Sequence, residues 1–218
     1  MSTGAPDLHS ERYREVIAWA VAEAPFPNES ESGDRCVVLP SADGVLIAAV
    51  DGAGHGAEAA AAAKAAVATL ETHAYESPIG LLVRCHEELK GSRGVVMTIA
   101  FIHLRDRTLT WAGVGNVEAI LFHGLGQYQT RPDRALLRNG VIGYRLPPVR
   151  AEVLPLKPFD TLVIVTDGIK PNFADGLALS DDLQLIADRI LERHFNGTDD
   201  ALVVVVRYLG GEGDRPPA

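Results

Sequence analysis

ESGDRCVVLPSADGVLIAAVDGAGHG, residues 31–56, holds two short apolar runs, Cys36 to Pro40 and Val45 to Val50, separated by Ser41-Ala42-Asp43-Gly44. Apolar runs of this length joined by turn-forming residues form a β-hairpin. Acidic residues stand at its open end: Asp34 two positions before the first run and Asp51 directly after the second. With the turn centred between Ala42 and Asp43, residues whose numbers add to 85 face each other, and Asp34 opposes Asp51. With the centre one position later the two become diagonal neighbours on one face, and a three-residue loop leaves the pairing open. In the first two cases the Cβ atoms lie about 5 to 8 Å apart. Like charges so placed destabilise a sheet by a few tenths of a kcal/mol or more, and a cation between them removes the conflict.

Upstream of the hairpin, Ile17, Trp19 and Val21 alternate with smaller or polar residues and favour a strand over a short amphipathic helix. Downstream, Ala57 to His73 is rich in Ala, Glu, Lys and Leu, the strong helix formers, and Ser77-Pro78 opens a second helix ending near Lys90-Gly91. Val95 to Leu104, Leu109 to Val114 and Val117 to Phe122 follow as strands. Turns at Arg105-Asp106-Arg107 and at Gly115-Asn116 make these an expected antiparallel meander. Gln127 to Pro148 is expected to be mainly loop with short edge strands. Thr161 to Thr166 is a clear strand, Asp181 to Arg193 an amphipathic helix, and Ala201 to Tyr208 a last apolar strand. Hairpins outnumber strand-helix-strand units, so antiparallel sheets packed under helices are expected, an α+β arrangement.

The chain has 218 residues, 47% of them hydrophobic, which fits one globular domain over residues 1–209 followed by a disordered tail, 210–218. Its apolar runs are far shorter than the roughly 20 residues of a membrane span. The start lacks the basic and apolar blocks of a secretory signal, so a cytoplasmic location is expected. Cys36 and Cys85 have no CxxC spacing, which removes a cysteine zinc site and a disulfide framework. The formal charge of −9, without clustered lysine and arginine, argues against nucleic acid as partner.

Four acidic positions adjoin apolar strands: Asp34, Asp51, Asp167 after Thr161 to Thr166, and Asp199 with Asp200 before Ala201. Strand ends are where a rigid sheet presents side chains to a shared site. Asp51-Gly52 and Asp167-Gly168 repeat one pattern, in which a residue lacking Cβ allows its carbonyl to approach an ion; turn chemistry explains either pair equally well. Carboxylates and carbonyls without cysteine describe a hard-ion site, for Mg²⁺ or Mn²⁺ rather than Zn²⁺.

Taken together, Glu31-Ser32-Gly33-Asp34, Asp51-Gly52-Ala53-Gly54-His55-Gly56, Thr166-Asp167-Gly168 and Thr198-Asp199-Asp200-Ala201 resemble, in order, the motifs of the PPM-type metal-dependent serine/threonine phosphatases. ESGD, VDGAGHG and GVGNVE look most like the RsbX stressosome phosphatases and, less closely, the SpoIIE group. The resemblance implies an αββα four-layer sandwich, two packed antiparallel sheets flanked by helices, with two Mn²⁺ or Mg²⁺ ions at one edge. By position, Asp51 bridges both ions, the Gly52 carbonyl and Asp34 complete one site, and Asp167 with Asp199 hold the other. Gly168 and Asp200 stand behind these ligands, Asp200 where many relatives have asparagine. The implied reaction is hydrolysis of phosphoserine or phosphothreonine by a metal-activated water. The implied substrates are phosphorylated stressosome scaffold or antagonist proteins. Many relatives have histidine directly after Asp-Gly; Ala53 stands there, and His55 is the candidate general acid, or else a cap on the following helix. The phosphate-gripping arginine near the start of larger relatives cannot be placed in this sequence.

Gly113-Val114-Gly115-Asn116 resembles a family signature, and a hairpin turn explains it as well. His103 and His123 are expected to be structural, His73, His86 and His194 to be surface positions on helices, and Trp111 to be core. Two other functions fit part of the pattern. Gly52-x-Gly54-x-x-Ala57 with Glu71 about 20 residues on matches the dinucleotide fingerprint of an oxidoreductase. That fold needs a strand ending at the acidic residue, where continuous helix is expected. A catalytically silent regulatory binding module of the same fold is the second alternative, against which the full set of aspartates speaks.

Overall fold

The structure is a computed structural model that describes residues 16–27, 29, 31–125 and 131–210. The tail from 211 onward, expected to be disordered, lies outside the described residues, as do residues 126–130 of the expected loop. In chain order the elements are β1 (Ile17–Ala24), β2 (Asp34–Ser41), β3 (Gly44–Gly52), α1 (Ala57–Thr72), α2 (Pro78–Glu88), β4 (Val95–His103), β5 (Thr108–Val114) and β6 (Glu118–Phe122). After these come β7 (Asp133–Arg134), β8 (Leu137–Arg138), β9 (Glu152–Pro155), β10 (Thr161–Val165), α3 (Leu183–His194) and β11 (Ala201–Tyr208).

Two sheets form. One has the order β1-β11-β10-β6-β7, the other β2-β3-β4-β5-β8 with β9 also on β5. Every ladder is antiparallel except β5 with β8. β3 is buried on both faces, which explains its unbroken apolar run. Val45, Ile47 and Ala49 face Ile164, Val204 and Val206 between the sheets. Leu46, Ala48 and Val50 face Ala62, Ala66, Leu70 and Leu81 of α1 and α2. On the far side, Val163, Val203 and Val205 pack on Ile186 and Ile190 of α3. The layers are therefore helices, sheet, sheet, helix, the expected αββα sandwich.

Helix starts follow local chemistry. The Ser77 hydroxyl accepts from Gly80 N at 3.2 Å with Pro78 in the first turn, and Asp182 accepts from Gln184 N and Leu185 N ahead of α3. The alanine run in α1 has a packing reason as well as a propensity: small side chains at Ala59, Ala62, Ala63 and Ala66 bring the helix close to β3.

The expected meander is corrected. β4 and β5 pair, but β6 pairs with β10 in the opposite sheet. Gly115-Asn116 is thus a crossover between layers and not a hairpin turn. Gly115 has φ 97°, and a Cβ there would fall 2.2 Å from Val96, so glycine is required for the chain to turn out of one sheet. The dinucleotide alternative fails as well, because β3 is flanked by antiparallel partners and α1 runs unbroken past Glu71.

Candidate functional site

The hairpin register is the one with Asp34 opposite Asp51. Both lie at the same end of the sandwich as the exit of β10, because the Thr166 hydroxyl donates to Asp34 Oδ2 at 2.7 Å. That hydroxyl also accepts from Leu202 N at 2.8 Å, so one threonine ties β2 in one sheet to β10 and β11 in the other. Asp167 follows immediately. Asn116 Nδ2, on the crossover, donates to Asp167 Oδ2 at 2.6 Å, and Asn196 Nδ2 donates to the Asp167 carbonyl at 2.7 Å. Asn196 Oδ1 in turn accepts from Thr198 N and Oγ1, which fixes the turn leading to Asp199. Asp199 Oδ1 accepts from Asp200 N at 2.9 Å, which holds its carboxylate against the chain.

Asp200 is buried and bonds the loop before β2. Its Oδ1 accepts from Phe26 N and its Oδ2 from Gly33 N, both at 2.8 Å. The loop before β2 is thereby clamped to the start of β11. An asparagine would keep only one of these two acceptors.

The four aspartates share one electrostatic neighbourhood. Burial pushes the Asp51 carboxyl up to about 9, reinforced by Asp34, Asp167, Asp199 and Asp200. Asp34 rises to about 8, chiefly through burial; the Thr166 bond opposes the rise, and Asp200, Asp167 and Asp199 add to it. Asp167 also rises, through burial and then Asp199. Among the described residues no lysine or arginine forms an ion pair with any of these four. The convergence is looser than the sequence implied: among the described residues no three His, Cys, Asp or Glu side chains gather within reach of one metal ion. Like charges favour that spacing. The donor chemistry, carboxylates and carbonyls with no opposing cation, is that of a hard divalent ion.

The Asp-Gly pairs have a reason that neither sequence reading anticipated. Gly52 and Gly168 are not among the residues with positive φ, so neither is there for turn conformation. A Cβ on Gly52 would lie 2.2 Å from the Ala59 carbonyl oxygen of α1, and one on Gly168 2.0 Å from the Asp200 carbonyl oxygen. Each glycine lets a neighbouring backbone press against the strand end that carries its aspartate.

His55 lies on the exposed loop between β3 and α1, with Nδ1 3.3 Å from Glu29 Oε1 and its ring 4.8 Å from that of Phe26. It does not cap α1, whose N-cap is Gly56 without a side-chain bond. His103 bonds Thr110 Oγ1, and His123 sits between Asp133 and Asp160, both structural roles. Trp111 is core. His86 departs from the expected surface role, since its Nδ1 accepts from Gly143 N at 3.0 Å. Sequence reasoning gave no role to Thr166, Asn116 or Asn196. The signal for the first two was their place inside quoted motifs, beside Asp167 and after Gly115.

No helix among the described residues is long and apolar enough to cross a membrane. The chain is similar to the phosphoserine phosphatase RsbX of Bacillus subtilis, with 29% identity over 99 residues, 45% of this chain and 50% of that protein. It thus spans about half the length of the curated relative it matches. A chain solved in work on the bacterial stressosome as a modular system adapted to control secondary messenger signaling is 28% identical, over 88% of this chain and 99% of that one, with a TM-score of 0.80. A crystal structure of RsbX in complex with magnesium shares the fold, with a TM-score of 0.79 at 22% identity over 89% of this chain and 96% of that one. The PPM-type phosphatase resemblance read from the motifs is borne out in sequence and in fold. Residues 41–209 match the family described as Stage II sporulation protein E, and the chain is a member of this SpoIIE family of PP2C-type phosphatase domains.

Proposed function

We propose that this chain is a divalent-metal-dependent protein phosphatase that hydrolyses phosphoserine or phosphothreonine on proteins of a bacterial stress-signalling module. One observation carries the reading. Asp34 and Asp51 face each other at the end of a hairpin in one sheet, and Thr166 ties Asp34 to the strand end of the other that carries Asp167. Burial first and their mutual charge second hold all three carboxyls above the usual range, and among the described residues no lysine or arginine pairs with them. Clustered carboxylates with pKa values raised by burial and by one another are characteristic of functional sites. The stressosome context of a similar solved chain and the phosphoserine activity named for RsbX support the substrate class.

In this reading Asp34, Asp51, the Gly52 carbonyl, Asp167 and Asp199 would hold the divalent ions, with Asp51 the carboxylate they would share. Bound Mn²⁺ or Mg²⁺ supplies Lewis acidity that brings the pKa of a water towards neutrality and offsets charge developing on the phosphoryl group. The chain's own part is orientation. Thr166 holds Asp34, Asn116 holds Asp167, and the Asp199–Asp200 peptide holds Asp199. Behind them Gly168 and Asp200 keep β11 against the strand end. His55, with Nδ1 towards Glu29, keeps Nε2 to hold the proton for the leaving oxygen.

The test is phosphate release from p-nitrophenyl phosphate and from phosphoserine protein, with and without Mn²⁺. Release that needs the ion and vanishes with chelator or with Asp167→Asn supports the reading. Absence of release from both substrates makes the chain a binding module.

A further inference from the structure

Residues 131–150 carry five arginines and one acidic residue, Asp133, a local charge of +4 in a chain whose formal charge is −9. Arg134 is neutralised by Glu118. Arg138 and Arg150 are not: among the described residues neither forms an ion pair, whereas Arg35, Arg84, Arg93 and Arg189 each have a carboxylate partner. These two unpaired arginines line one surface cavity of about 450 Å³ together with Asn139, Pro147 and Pro148. The Arg138 Nε atom is buried and has no hydrogen-bond partner. Arginine guanidiniums bind carboxylate and phosphate through charge-assisted, often bidentate, hydrogen bonds. The paired prolines fix the backbone of one wall, so little ordering remains to be done on binding.

The cavity adjoins the aspartate site through the backbone. Arg138 pairs with Val114 in the parallel ladder, and its carbonyl accepts from Gly115 N at 2.9 Å. The next residue, Asn116, donates to Asp167. This path keeps the Arg138 backbone within roughly 15 Å of Asp167, a span that three or four residues of extended peptide at about 3.3 Å each can cover.

We propose that the Arg138–Arg150 cavity is an anion subsite for the phosphoprotein substrate, taking a carboxylate or a second phosphate three or four residues from the phosphoryl group that is hydrolysed. The assignment rests on the phosphatase reading of the aspartate site. It explains why an acidic protein concentrates arginine in this one segment, and it makes substrate choice depend on charge near the phosphorylated residue.

The experiment compares phosphoserine peptides that carry alanine, aspartate or a second phosphoserine at the third and fourth positions on either side. Rates with Mn²⁺ are expressed relative to p-nitrophenyl phosphate, which is too small to span the two sites. The parent is expected to prefer the anionic peptides about tenfold in kcat/KM. Arg150→Glu, at an exposed position, is expected to abolish that preference, and Arg138→Lys to weaken it. The aspartate and phosphoserine arms separate carboxylate from phosphate. A parent without preference, or variants that keep it, overturns the subsite. If no substrate is hydrolysed, the phosphatase reading falls, and anisotropy of a labelled doubly phosphorylated peptide still decides the cavity. Binding weakened by Arg150→Glu upholds it; equal binding refutes it.

Discussion

The hydroxyl of Thr166 donates to Asp34 Oδ2 at 2.7 Å, joining two residues 132 positions apart and on different sheets. The same oxygen accepts from Leu202 N, so its proton and one of its lone pairs are both committed. Thr166→Val keeps the shape, strands a buried N–H at a cost of about 1–3 kcal/mol, and frees Asp34 to turn. We expect the Mn²⁺ concentration for half-maximal phosphate release to rise about 10- to 100-fold, with Thr166→Ser restoring most of it. A titration of activity against Mn²⁺ checks this, and an unchanged midpoint in the valine variant counts against a positioning role.

Burial of the site carboxylates, with their mutual repulsion added, makes metal-free stability fall with pH. Asp51 and Asp34 are held at about 9 and about 8 in the folded chain, far above the ordinary carboxylate value. The unfolded chain releases these protons near pH 4 while the folded chain keeps them, so stability is full below that pH and is lost progressively up to about 9. Asp51→Asn removes one member of the conflict. In chelator it should be more stable than the parent at pH 8, by on the order of 2 kcal/mol, although inactive with Mn²⁺. Thermal melts from pH 5 to 8.5 test this; parallel pH profiles for parent and variant would show that folding does not raise the Asp51 pKa.

Gly52 and Gly168 are packing residues. Each Cβ would stand about 2 Å from a backbone carbonyl oxygen, of Ala59 or of Asp200. Gly52→Ala and Gly168→Ala must therefore displace α1 or β11, and we expect each to cost about 2–4 kcal/mol. Gly91→Ala is a useful comparison: nothing lies within 4 Å, and its strain comes from φ 87° alone. Denaturant melts on the three variants separate crowding from backbone strain. Equal losses would remove the close-packing account.

The hairpin and its acidic pair were legible because a two-residue turn propagates one register along both strands, and the apolar run dictates which residues are buried. Counting made Asp34 opposite Asp51 one of three registers, and the structure takes it. The crossover at Gly115 was not legible, since glycine and asparagine suit a hairpin as well as a change of sheet. What separates the two is which layer buries β6, a property of residues far away in sequence such as Ile164 and Val204. The aspartates were found because each adjoins an apolar strand. Their supports were not: a hydroxyl at 166 or an amide at 116 has no pattern of its own and acquires meaning only from the partner the fold brings to it. The glycines were found, but their packing role was not legible, because close approach by Ala59 or Asp200 cannot be seen from the dipeptide.

The most direct measurement of the central claim is calorimetric titration of Mn²⁺ into chelator-stripped protein, beside Asp51→Asn and Asp167→Asn. Saturable binding of two ions by the parent, with the first variant losing both and the second losing one, is the predicted result. Binding of equal affinity and stoichiometry in all three proteins would contradict it.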